Sequence, residues 1–154
     1  MEFKELMGAL GEQCGLGELS IDEDGVAAIM ADDILLSFVE IPATRQLAMY
    51  ADVADKPEGD CGRLYETLLE AQYLGGVTEG STFSISPKGK ISVHRVDALW
   101  DLDVELLMKI VEGFLNLIDR WREVIRLYRP EESVDETGMP DNFALGANSG
   151  FLSV

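Results

Sequence analysis

Clustered acidic residues are the first groups in this chain whose type and spacing could do chemistry. Asp22 and Asp24 with Gly25, followed by Asp32 and Asp33, bring carboxylates to alternate positions, as a hard cation requires. The spacing does not complete a calcium loop. Counted from Asp22, the sixth position is Ala27 and the twelfth is Asp33, where such a loop needs glycine and usually glutamate. These residues are therefore read as turns. His94 is the only histidine, and a nucleophile pair would need it beside Cys14, Cys61 or a serine, together with an orienting acid. Its place between Val93 and Arg95, in a strand-like run, predicts an outward-facing polar residue instead. Gly15-Leu16-Gly17 and Gly75-Gly76 lack the third spaced glycine, the Lys-Ser/Thr pair and the preceding strand of a phosphate loop, so they read as helix stops. Tyr65, Tyr73, Trp100 and Trp121 could line an aromatic cage, but residues of this kind beside Leu and Ile at helical spacing predict packing or a protein interface. Carboxylates are abundant enough that some pair must lie close, yet no spacing singles one out as a general acid and base. No catalytic residue, cofactor or metal-ligand set is expected, and the chain reads as a binding protein.

Composition narrows the partners. A chain of 154 residues with 47% apolar content supports one compact core. Its formal charge of −17, from 29 acids against 12 bases, repels phosphate backbones and anionic lipid alike, so neither nucleic acid nor membrane is expected as a partner. The same negative field keeps a protein soluble while it displays apolar surface. Cys14 and Cys61 stand far apart in no CxxC arrangement, which predicts free thiols and a reducing, cytoplasmic setting. The residues after Met1 carry no basic and apolar export signal, and no run reaches the ~18 apolar residues of a spanning helix.

The elements that would position a binding surface follow from periodicity. Phe3, Leu6, Met7, Leu10 and Cys14 recur at steps of three and four, predicting a first helix that Gly15 and Gly17 end. Val26 to Ala31 and Ile34 to Ile41 read as strands joined by a tight Asp32-Asp33 turn, and Leu47, Met49, Ala51 and Val53 alternate along a third. Asp60 is placed to cap a second helix carrying Leu64, Leu68 and Ala71 on one side and Tyr65, Leu69 and Gln72 on the next. Thr82 to Ser86 and Ile91 to Val96 flank the turn residues Pro87 to Lys90 and predict a second hairpin. Asp101 or Asp103 caps a last helix reaching Tyr128, roughly 39 Å long at 1.5 Å per residue. The expected fold class is α+β, in the order helix, three strands, helix, two strands, helix, with a twisted, mainly antiparallel sheet packed by helices. Residues 1–128 form the domain, and residues 129–154, where periodicity is lost, form an acidic, flexible tail.

Leu64-Tyr65, Leu68-Leu69, Ala71, Leu74-Gly75, Thr78 and Gly80, with Phe114-Leu115 and Trp121 later and Leu16-Gly17 and Asp32-Asp33 earlier, resemble the type III secretion chaperones of the Tir-chaperone (CesT) class. The resemblance covers roughly residues 3 to 126. Gln72 stands where that family often has Asn, and Phe83-Ser84 where it usually has Leu-Gly. The resemblance implies a homodimeric cytoplasmic chaperone that holds a segment of a secreted effector protein in extended form and hydrolyses no nucleotide itself. It also implies the secretion-apparatus ATPase as a further partner. Strand addition to an exposed sheet edge, with apolar side chains entering grooves, is the physical mode. Leu6 and Leu10 of the first helix, with Val26, Ala28, Met30, Leu36, Phe38, Leu47 and Met49 of the first three strands, are the expected effector-binding residues. Leu64, Tyr65, Leu68, Leu69 and Tyr73 are the expected dimer interface. The alternative is a YbjN-like regulatory or sensory domain of the same architecture without an exported client.

Overall fold

The computed structural model of the protein describes residues 1–130. Helix α1 (Phe3–Gln13) buries Phe3, Leu6, Met7 and Leu10, the stripe that the three-four spacing predicts. It is stopped by Gly15 and Gly17, both at positive φ (72° and 74°). Strands β1 (Val26–Ala31) and β2 (Ile34–Ile41) turn through two residues, with Asp32 at φ 53°, a conformation that aspartate tolerates better than most side chains. Strand β3 (Gln46–Asp55) precedes helix α2 (Gly62–Ala71), then β4 (Thr82–Ile85), β5 (Lys90–Ala98) and helix α3 (Val104–Leu127).

The strands form one antiparallel sheet in the order β1-β2-β3-β5-β4. One face of it carries Ile29, Leu36, Phe38, Leu47, Met49, Ile91 and Val93, and these join Leu64 and Leu68 of α2, the α1 stripe and α3 in a single core. Along α3 the buried residues are Leu107, Val111, Phe114, Leu117, Ile118, Trp121 and Ile125. Each such large side chain contributes roughly 1.5–3 kcal/mol by leaving water. Trp121 meets Phe83 of β4 edge-to-face, 5.1 Å between ring centroids, so it is a packing residue and not part of a cage.

The caps differ from the expected ones in one place. Asp103 caps α3 as expected, accepting the Leu106 N–H at 2.8 Å. Asp60 instead sits one residue before the cap of α2, accepting the Gly62 N–H at 2.8 Å, because Cys61 holds the cap position with its sulfur turned back to the Pro57 carbonyl. Strands β3 and β5 also run longer than their alternation predicts. They pair with each other along most of their length, so the ladder carries residues that pattern alone leaves out.

Gly11 lies where α1 passes closest to the segment that follows it, and a Cβ there would stand only 2.1 Å from the Gly17 carbonyl oxygen. Gly8, one turn earlier, has only the Glu18 Cγ nearby, at 3.9 Å. The same substitution should therefore have opposite signs. Gly8→Ala is expected to raise stability by about 0.5–1 kcal/mol through helix propensity, whereas Gly11→Ala should lower it by about 1–3 kcal/mol through backbone displacement. Urea unfolding followed by circular dichroism reads both.

Candidate partner-binding surface

A five-stranded sheet covered by helices on one face leaves the other face open. Met30 of β1 is 62% exposed, and Ala28, Leu35, Tyr50 and Val96 are exposed beside it, while Val26, Val39 and Ala48 are partly covered. The register joins them: Ala28 lies opposite Ser37, Ser37 opposite Tyr50, and Tyr50 opposite His94. His94 points out of this face as expected, half-buried among neighbours from β3 and β4.

The β1 margin of this sheet is an edge. In a two-residue hairpin the residues flanking the turn form a hydrogen-bonded pair, so Ala31 and Ile34 pair, and with them Ile29 and Leu36, and Ala27 and Phe38. Val26, Ala28 and Met30 therefore turn their backbone groups away from β2. Those of Val26 are satisfied locally, its N–H donating to the Asp22 carboxylate at 2.9 Å and its carbonyl accepting from the Asp22 N–H at 2.9 Å. This is what the Asp22-Asp24 cluster does: it closes a turn against the start of β1. Ile21 forms an antiparallel bridge with Ala27, and because the backbone groups of Ala27 face β2, this bridge sets the Ser20 carbonyl against the Ala28 N–H. Among the described residues, nothing pairs with the edge backbone of Met30. At the other margin, β4 is treated differently: Gln72 accepts the Phe83 N–H at 2.7 Å and blocks part of that edge.

Beside the open part of β1 runs a groove of about 710 Å³, bounded by α1 and α3 and lined by Cys14, Leu16, Ile29, Met30, Met108 and Leu115. Cys14 and Met108 meet across it, sulfur to sulfur, at 3.9 Å. Soft, adaptable sulfur side chains suit a groove that must accept more than one apolar shape.

The expected effector-binding residues divide accordingly. Val26, Ala28 and Met30 lie on the open face and edge, whereas Leu6, Leu10, Leu36, Phe38, Leu47 and Met49 are buried in the subunit's own core and have no surface to offer. The reason is that a two-residue period says which residues share a face but not which face turns inward. Leu35, Tyr50 and Val96, which the sequence reading passed over, stand on the open face, and Leu16, Cys14 and Met108 line the groove. Their signal was present as the opposite phase of the same alternation.

The expected dimer residues divide in the same way. Leu64 and Leu68 belong to the core and Tyr65 is half-buried, its phenol pKa pushed up mainly by burial and further by Cys61. Leu69 and Tyr73, four residues apart, are 62% and 70% exposed. Leu74 follows at 87% exposed and is held at φ 54°, a left-handed conformation uncommon for a leucine, with Val77 exposed beyond it.

Electrostatics concentrates near the C-terminal end of α3. Arg122 donates to the Val53 carbonyl at 2.9 Å and to the Asp33 carboxylate at 2.8 Å, tying α3 to β3 and to the β1–β2 turn. That hydrogen bond and the adjacent positive charge hold the Asp33 carboxyl below the usual carboxylate range. No cluster of His, Cys, Asp and Glu among the described residues could hold a metal ion, and no helix among them is long and apolar enough to cross a membrane.

An open apolar sheet face, an unpaired edge and an adjoining groove define a module that binds polypeptide. A model of the Tir chaperone protein (CesT) family matches residues 5–122, and the chain belongs to that family. Among solved structures, it is similar to a chain of the ExsC–ExsE complex, with a TM-score of 0.69 and 19% identity over 81% of this chain and 97% of that one. It is also similar to a chain of the HopA1–SchA chaperone–effector complex, with a TM-score of 0.65 and 18% identity, covering 79% and 93% of the two chains. A third likeness is to the Yersinia pestis type III secretion chaperone SycH in complex with a stable fragment of YscM2, with a TM-score of 0.61 and 14% identity over 79% and 98%. At these identities the structural likeness speaks for the fold. Comparison with curated proteins returns no match. The YbjN-like alternative finds no support in these comparisons.

The two thiols should behave differently. Cys14 is exposed in the groove and Cys61 is buried, so a bulky maleimide should modify Cys14 rapidly and Cys61 only on unfolding. Mass spectrometry after timed quenching reads the two sites, and equal rates would show that the groove is closed.

Proposed function

We propose that this protein is a type III secretion chaperone that captures an extended segment of an effector at the β1 edge. The observation that carries the reading is the unpaired N–H and carbonyl of Met30 beside an apolar groove. An incoming strand would bond to those groups, and its side chains would alternate between the groove and the open sheet face. Backbone bonds would then supply affinity for many sequences, and the spacing of apolar residues would supply selectivity. Ordering such a segment commonly buries on the order of 1,000 to 3,000 Å², enough to offset its lost conformational freedom. The structures similar to this chain include a chaperone held with an effector, which supports a secreted protein as client.

The second part of the reading is a homodimer formed through Leu69, Tyr73, Leu74 and Val77, a consecutive apolar surface at the end of α2. Leu64 and Leu68 hold α2 to its own subunit and serve the interface only by positioning it. The assembly is cytoplasmic in this reading, and the secretion-apparatus ATPase receives the loaded complex. Residues 129–154 were expected to form a flexible tail; their part from 131 onward lies outside the described residues.

Strand addition has a specific test. The Met30 N–H points away from β2, so Met30→Pro removes a donor from the edge and leaves the ladder intact. Co-expressed with exported proteins of the same bacterium, the wild-type chain should co-purify with a client, and the bound client should protect Cys14 from maleimide. The Met30→Pro chain, with an unchanged far-ultraviolet spectrum, should bind that client at least tenfold more weakly, about 1.4 kcal/mol. Unchanged affinity would rule out pairing at this edge. For the dimer, Leu69→Asp with Tyr73→Asp should sediment as a folded monomer, whereas Leu68→Asp places an unpaired charge in the core and should unfold the subunit.

A further inference from the structure

Six of the chain's 12 lysines and arginines gather in one place. Lys56, Arg122, Arg126 and Arg129 line a groove of about 710 Å³ between the end of β3 and the end of α3, and Lys88 and Lys90 line the hollow that adjoins it across Arg122. The acids lining these two hollows are Asp33, Asp52, Asp55 and Glu58, and Glu123 pairs with Arg126 beside them, so six cations stand against five acids on a chain whose net charge is −17. Three of the cations are engaged locally, Arg122 with Asp33 at 2.8 Å, Lys90 with Asp55 at 3.2 Å and Arg126 with Glu123 at 2.6 Å. Lys56 and Lys88 have no carboxylate partner among the described residues. Arg129 turns its guanidinium to backbone carbonyls.

The described chain ends inside this cluster. Tyr128 is buried and donates its hydroxyl to the Asp60 carbonyl at 2.7 Å, and Pro130 itself lines the groove, close enough to Gly59 that a Cβ there would come within 3.0 Å of the proline ring. The next residues in sequence include Glu131, Glu132, Asp135, Glu136 and Asp141, and residues 131–154 contain no lysine or arginine. An acidic stretch thus leaves from a cationic region of an acidic protein. Its effective concentration there is that of a tether a few residues long, on the order of millimolar.

We propose that the acidic residues 131–141 dock on the cationic cluster formed by Lys56, Lys88, Lys90, Arg122, Arg126 and Arg129 of the same chain. The surface selects a polyanionic peptide: its cations are on separate elements, two of them are unpartnered by carboxylates among the described residues, and the hollows they line are open. Docking in cis neutralises a patch that would otherwise attract the acidic surface of a second copy. The adjoining hollow is also lined by Leu35, Ser37 and Tyr50 of the open sheet face. The docked segment therefore borders the proposed client surface, a consequence that rests on the client reading, whereas the docking itself does not.

The test uses the full chain with Cys14→Ser and Thr137→Cys, carrying a nitroxide on the introduced thiol, and two-dimensional amide spectra at low salt. Broadening is expected at residues 54–58 and 88–90, and it should largely vanish near 1 M salt, where the Debye length is about 3 Å. Adding Glu131→Gln, Glu132→Gln, Asp135→Asn and Glu136→Gln should abolish it at low salt as well. Broadening centred on residues 28–31, no salt-sensitive broadening anywhere, or broadening seen only when labelled and isotope-enriched chains are mixed would overturn the proposal. The last outcome would assign the cluster to a second copy. Each readout is independent of whether a client binds.

Discussion

One sheet and too little helix to cover it is the constraint on which this structure depends. The inward-facing residues of the strands are sealed by α1, α2 and α3 in a single core. Nothing among the described residues does the same for the other face, where Met30, Leu35, Tyr50 and Val96 meet solvent. An antiparallel sheet tolerates one solvated face, but ordinarily with polar residues on it. Here the outward phase is substantially apolar, and the edge strand beside it keeps unpaired backbone groups. Natural proteins usually blunt such edges with charge, proline or a covering element. This chain blunts β4 with Gln72 and the start of β1 with the segment around Ile21, and leaves β1 open at Met30, an asymmetry that frees one margin of the sheet.

Charge and apolar surface are complementary parts of one solution. A protein that presents exposed leucine, methionine and tyrosine on two surfaces would associate with itself without a repulsive field, and −17 supplies one. The positive charges are not spread evenly through that field. Arg122 is used structurally, linking α3 to the Val53 carbonyl and the Asp33 turn, and other cations collect around it. The core and the surface charge thus meet at the end of α3, where the same helix that seals the sheet also positions the cationic cluster.

The sequence was most legible where local chemistry decides structure. Glycines at positive φ end α1, a two-residue Asp-Asp turn joins β1 to β2, and Asp103 caps α3, and each of these follows from the residues at the spot. It was least legible where both phases of a pattern are apolar. In β2, Leu35 and Leu36 are adjacent and chemically identical, yet one is exposed and the other fully buried. In α2, Leu68 and Leu69 repeat that contrast. No local rule separates them, because the difference lies in what packs opposite.

Element order, the kind of each element, the antiparallel hairpins and the family resemblance were all contained in residue types and spacings, since these reflect backbone preferences and short-range hydrogen bonds. The tertiary structure decided which side of every element faces α3. With that it moved Leu6, Leu10, Leu36, Phe38, Leu47 and Met49 from an expected binding surface into the core and left Met30, Leu35 and Tyr50 outside it. It also assembled cations from β3, the β4–β5 turn and α3 into one patch. Burial is a relation between segments distant in the chain, so a one-dimensional pattern specifies the set of partners each residue could have, and only the packed arrangement selects among them.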